Sequence, residues 1–213
     1  MSDYRDIAFL GFRAIVTALF PSGGSLLADA IKTFADYSVE RARKTLMEEI
    51  RAGDIEKLSE AQKRDLVPIG YRYYEAARSG CARRNLKILA QIISGMINSE
   101  KLDPQVFSLI SSRIEYLSIN ELIVLSCYID YIKNKDEIGA EKKDEYIKNL
   151  SLERGIYPNN EYSIRSSLSV LASYGWVVMD NNLFDIGGSY SPTNLVLELV
   201  NLDINSILKE VMA

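Results

Sequence analysis

The 213-residue chain is 47% apolar and 25% charged, an ordinary globular composition that excludes a disordered or fibrous protein. Its length suits one or two domains, each able to bury its own core, and its net charge of −4 argues against bulk binding to nucleic acid or an anionic membrane. The charge is unevenly spread: residues 1–112 carry 16 Lys and Arg against 14 Asp and Glu, whereas residues 113–213 carry 9 against 15.

Residues 7–20, IAFLGFRAIVTALF, are apolar apart from Arg13 and Thr17. They are too few for the roughly 20 residues a spanning helix needs. The acidic start before them and the lack of a small-residue cleavage site argue against a secretory signal. The segment reads as a core helix. The alternative is an interfacial anchor in which Phe9, Phe12 and Phe20 enter lipid, although its polar face lacks the Lys and Arg such anchors carry.

Pro21-Ser22-Gly23-Gly24 breaks the chain, and a second helix is predicted from Ser25 to Arg51, with Gly53 in the position of a C-terminal cap. Ser59 and Gln62 form a capping-box pattern opening a third helix, in which Pro68 predicts a kink. Gly80 either ends this helix or lies within its continuation, and a helical pattern follows from Cys81 to Met96. Asp103-Pro104 reads as an N-cap with proline at the first helical position. Ser118 with Glu121 opens a strongly apolar helix running through about Tyr131.

Beyond Lys133 a charged segment containing Gly139 leads to a short helix near residues 141–150. Pro158-Asn159-Asn160 makes a turn, and residues 161–174 read as a helix carrying Ile164, Leu168 and Leu171. WVVMD and LFDI then flank Asn181-Asn182, which tolerate the positive φ of a tight hairpin turn. Residues 193–199 and 203–212 read as closing helices, the second capped by Asp203.

Leu168-Ser-Val-Leu171-Ala-Ser-Tyr-Gly175-Trp176 and Tyr190-Ser-Pro-Thr193-Asn-Leu195 resemble two parts of a winged helix-turn-helix domain. The first is similar to its leucine-rich third helix and the glycine that turns it into the wing; the second is similar to the aromatic-x-x-Thr that opens the next helix. The resemblance covers less than half the chain and its pattern is shared by many unrelated regulators. The upstream part is similar, in broad outline alone, to small bacterial and prophage-encoded proteins. The expected architecture is therefore mainly α: an N-terminal helical bundle over residues 1–112, then a winged-helix domain with a small β-hairpin over residues 113–213.

Chemistry is scarce. The chain has no histidine, which removes His-dependent triads, Cys-His dyads and most zinc sites. The acidic residues are interspersed as on solvated helix faces, and PSGGS lacks the Lys and spacing of a phosphate-binding loop. No catalytic, metal or cofactor site and no small-molecule substrate is expected. Cys81 and Cys127 are far apart and lie in apolar patterns, which suits buried thiols in a reducing cytoplasm.

Two binding surfaces remain. The predicted third helix of the winged unit exposes Arg165, Ser166, Ser169 and Ser173, as a DNA-reading helix would. It has a single positive charge, however, and residues 176–190 contain Asp180 and Asp185 but no Lys or Arg. Affinity for DNA rests on cationic contacts to phosphate, so a protein partner, self or other, is the leading expectation. A bacterial DNA-binding transcriptional regulator is the alternative, and a peripheral membrane-associated prophage or defence protein anchored by residues 7–20 is a third. Lys63–Lys87 is the other surface, with seven basic residues against two acidic ones. There Arg72, Arg78, Arg83, Arg84 and Lys87 interleave with Tyr71, Tyr73 and Tyr74 as in single-strand binders. Core-facing Tyr71 and Tyr74 beneath a solvated basic face explain the same pattern without a ligand.

Overall fold

The computed structural model of the chain describes residues 26–50, 52–180 and 189–202. The segment holding Phe9, Phe12 and Phe20, the break at 21–24, the Asn181-Asn182 pair and the closing helix expected at 203–212 all lie outside the described residues. The fold is mainly α with one small antiparallel hairpin. Helix α1 spans Leu26–Glu49, α2 Ala52–Glu56, α3 Glu60–Arg78, α4 Arg83–Asn98 and α5 Pro104–Ile114. After a connector at 115–118 come α6 (Ile119–Lys133), the one-turn α7 (Lys135–Ile138), a 3₁₀ turn at Ala140–Lys142, α8 (Lys143–Glu153) and α9 (Glu161–Ser173). Strands β1 (Val177–Asp180) and β2 (Ser189–Pro192) and helix α10 (Asn194–Asn201) close the described chain.

Local chemistry sets most helix ends. The Ser59 hydroxyl accepts from the Gln62 amide while the Gln62 side chain accepts from Ser59 N–H at 2.8 Å, a closed capping box. Asp103 Oδ1 accepts from the amides of Gln105 and Val106 at 2.8 and 3.0 Å, with Pro104 supplying the first helical residue. Gly80 ends α3: its φ of +90° lets Cys81 N–H reach Ala76 O at 3.0 Å and Gly80 N–H reach Ala77 O at 3.3 Å. Pro68 lies inside α3 on an exposed position, and the helix continues past it to Arg78.

Three expectations need correction. Gly53 does not cap α1 but lies within α2; the last α1 carbonyl, Glu49 O, instead accepts from Ser94 Oγ of α4 at 3.0 Å. The strand paired with β1 is Ser189–Pro192 and not the expected LFDI, with Val177 opposite Pro192 and Asp180 opposite Ser189. In α3 the core-facing tyrosine is Tyr73, fully buried with its hydroxyl donating to Ala42 O at 3.1 Å; Tyr74 is half-buried and Tyr71 exposed. The buried stripe of this helix is Ile69, Tyr73, Ala76 and Ala77, at spacings of four, three and one, and it leaves Tyr71 on the far side.

Helices α1 to α5 pack chiefly on one another, and α6 is the hub against which α8, α9 and α10 pack. Every residue of α6 from Leu122 to Ile129 is buried, as a helix surrounded by others requires. A single apolar cluster runs through both groups. Asn85 Nδ2 of α4 donates to Ile114 O at 2.6 Å and Leu117 O at 2.9 Å and Arg72 of α3 pairs with Glu115 at 2.8 Å, which fastens the connector to the first group, and Arg113 of α5 donates across to Gly175 O at 3.4 Å. Gly95 lies so close to the chain at Leu202 that a Cβ there would stand 2.6 Å from Leu202 O.

Candidate functional site

The third helix of the C-terminal group, α9, is started by Asn160, whose Oδ1 accepts from Ser163 N–H at 2.9 Å. Ile164, Ser167 and Leu171 face the core, which turns Tyr162, Arg165, Ser166, Ser169 and Ser173 outward. Its end repeats the device at Gly80: Gly175, at φ +70°, allows Trp176 N–H to reach Leu171 O and Gly175 N–H to reach Ala172 O, both at 2.9 Å. Trp176 is then fully buried beneath the hairpin, and Thr193 fastens the far end of the hairpin to it. Thr193 N–H donates to Trp176 O at 3.0 Å, and its hydroxyl donates to Gly175 O at 2.8 Å.

The outward face of α9 has a defined charge arrangement. Arg165 Nη2 lies 2.9 Å from Glu161 Oε1, and Lys148 Nζ of α8 lies 2.9 Å from the other oxygen of the same carboxylate. The hydrogen bond from Lys148, then that from Arg165, holds the Glu161 carboxyl below its ordinary range. Such exposed pairs add little stability; their effect here is to direct the guanidinium along its own helix. The Ser169 hydroxyl donates to Arg165 O of the same helix at 3.0 Å. Arg165, Ser166 and Ser169 thus share one exposed face, with the cation already engaged.

The hairpin is anionic at its described end. Asp180 Oδ2 accepts from Ser191 Oγ at 2.6 Å and from Lys143 Nζ at 3.4 Å, and Lys143 also donates to Ser191 Oγ at 3.1 Å. The Ser191 hydrogen bond, then the Lys143 charge, holds the Asp180 carboxyl below its ordinary range. Tyr128 of α6 donates to Tyr190 O at 3.1 Å, so β2 is tied to the hub as well. Val178 and Met179 of β1 are exposed, as is Tyr162 at 79%.

The basic stretch does not form one interleaved face. Arg72 is turned to the connector, where it pairs with a Glu115 side chain only 5% exposed. Arg78 and Lys87 are partly buried, and Gly80 places Arg83 and Arg84 on the first turn of a different helix, where both are exposed. Cys81 and Cys127 are free and buried. Among the described residues no cluster of acidic or thiol side chains is arranged to hold a metal ion, and no helix is long and apolar enough to cross a membrane. The Arg165–Glu161 pair was legible as an i, i+4 spacing; the Lys148 contact joins two helices and leaves no local signal. No family model, curated protein or solved structure matches this chain.

Proposed function

We propose that this is a non-catalytic binding or regulatory protein whose C-terminal unit, a winged helix in our reading, docks a protein. The observation that carries the reading is the engagement of Arg165, the one cation of α9, by Glu161, which also holds Lys148. A DNA-reading helix needs its cations free for phosphate and base edges. This one instead presents an exposed tyrosine beside neutralised charge, with Val178, Met179 and an engaged Asp180 on the adjoining strand. Aromatic and apolar side chains beside polar groups are what protein interfaces use. Nothing in this reading requires a cofactor. Fluorescence anisotropy with generic duplex DNA tests it: no binding at low or physiological salt is expected. Salt-sensitive binding weakened by Arg165→Ala would replace it with the DNA-binding regulator.

A further inference from the structure

We infer that the outer edge of β1 takes the partner protein by strand addition, with an extended apolar segment pairing with the N–H and C=O of Met179. This rests on the protein-docking reading above and names the part of the partner that is bound. The hairpin register fixes which backbone groups face outward. Thr193 N–H donates to Trp176 O, so these two residues form a hydrogen-bonded pair, and such pairs alternate along an antiparallel ladder. Val178 with Ser191 and Asp180 with Ser189 are the next hydrogen-bonded pairs. Val177 with Pro192 and Met179 with Tyr190 lie between them, their backbone groups turned away from the opposite strand.

The two edges of the hairpin differ. On β2, Pro192 offers no donor, and the outward Tyr190 O is already held by the Tyr128 hydroxyl at 3.1 Å. On β1, Val177 is buried, whereas Met179 is 49% exposed and has no hydrogen bond to its N–H or C=O among the described residues. Natural sheets guard such an edge with Lys, Pro or a free charge. The strand VVMD has only Asp180, and Ser191 and Lys143 hold that carboxylate. Val178 and Met179 are both exposed and alternate between the two faces of the strand, so an added strand meets an apolar side chain on each. An antiparallel strand answers both backbone groups of Met179 at once, which is how extended peptides bind at sheet edges. Opposite Asp180, Met179 and Val178 in turn, the bound segment carries a basic residue and then two apolar ones.

Fluorescence anisotropy of the dye-labelled, end-blocked peptide Thr-Lys-Val-Val-Thr, titrated with the full chain, tests it. Binding is expected. N-methylation of the first valine, which opposes Met179 and donates to its C=O, should raise the dissociation constant roughly tenfold or more, as should Met179→Pro in the chain. Met179→Pro removes an N–H that the hairpin does not use, so circular dichroism should show the variant folded. No binding by the natural chain, or binding that N-methylation leaves unchanged, would overturn the inference. That failure leaves the docking reading in place, whereas DNA binding that depends on Arg165 would remove the reading itself.

Discussion

Cys81 and Cys127 are buried, and burial pushes both thiols up, Cys81 to about 12, and Cys127 in spite of the hydrogen bonds its sulfur accepts from Ser151 Oγ at 3.4 Å and Arg154 Nη1 at 3.7 Å. The thiolate is the reactive form, so at pH 8 neither should react with a thiol reagent while the chain is folded, and both should react in denaturant. A titration with such a reagent reads this directly; rapid labelling of the native protein would contradict it. Arg72 and Glu115 behave differently, because each is the other's ion partner in a partly dry site. Arg72→Ala leaves a nearly buried carboxylate without its cation. Buried pairs broken in this way cost ~3–5 kcal/mol, and the 21% exposure of the Arg72 side chain lowers the expected loss to about 2 kcal/mol. Urea unfolding measures the difference. A loss within that of an ordinary surface substitution would show that Glu115 is solvated rather than held.

Helix boundaries follow from chemistry within four residues, which is why Ser59 with Gln62, Asp103 with Pro104 and the glycine at the end of α9 could be anticipated from sequence, whereas Gly80 is compatible with either an end or a continuation and only its positive φ decides for the end. Pairings across longer distances left no such trace. Trp176, buried under the hairpin, and Thr193, bonded to it, bring Pro192 opposite Val177, so β1 pairs with SYSP, whose composition gives little strand signal. Three tyrosines within Tyr71–Tyr74 give no period to choose from, and packing against Ala42 selects Tyr73. Gly53 had the chemistry of a cap, but Ser94, 45 residues from Glu49, supplied the hydrogen bond instead. Gly95 shows the same principle as a steric demand. Alanine there would gain ~1 kcal/mol of helix propensity, yet its Cβ would stand 2.6 Å from the Leu202 carbonyl, a backbone atom. Overpacking costs ~1–3 kcal/mol, so Gly95→Ala should lower the thermal midpoint; a raised midpoint would show that the chain at Leu202 yields easily.

For the molecule as a whole, charge and packing divide the work. Residues 113–213 carry the acidic excess, Asn85 and Arg72 fasten the connector at 115–118 to α4 and α3, and Arg113 of α5 reaches Gly175 at the end of α9. The mainly α fold with its hairpin was legible because apolar periodicity and caps are local. The state of the candidate face was half legible: the sequence placed Arg165 outward with Ser166 and Ser169, and the contact that engages Lys148 with the same carboxylate arises only when α8 meets α9. In the proposed reading, this engagement leaves α9 a protein-docking face. The most direct measurement is a fluorescence anisotropy titration of duplex DNA with the full chain and with Arg165→Ala, at low and at physiological salt. Neither protein should bind at either salt; salt-sensitive binding by the natural chain that Arg165→Ala weakens would show that α9 reads DNA.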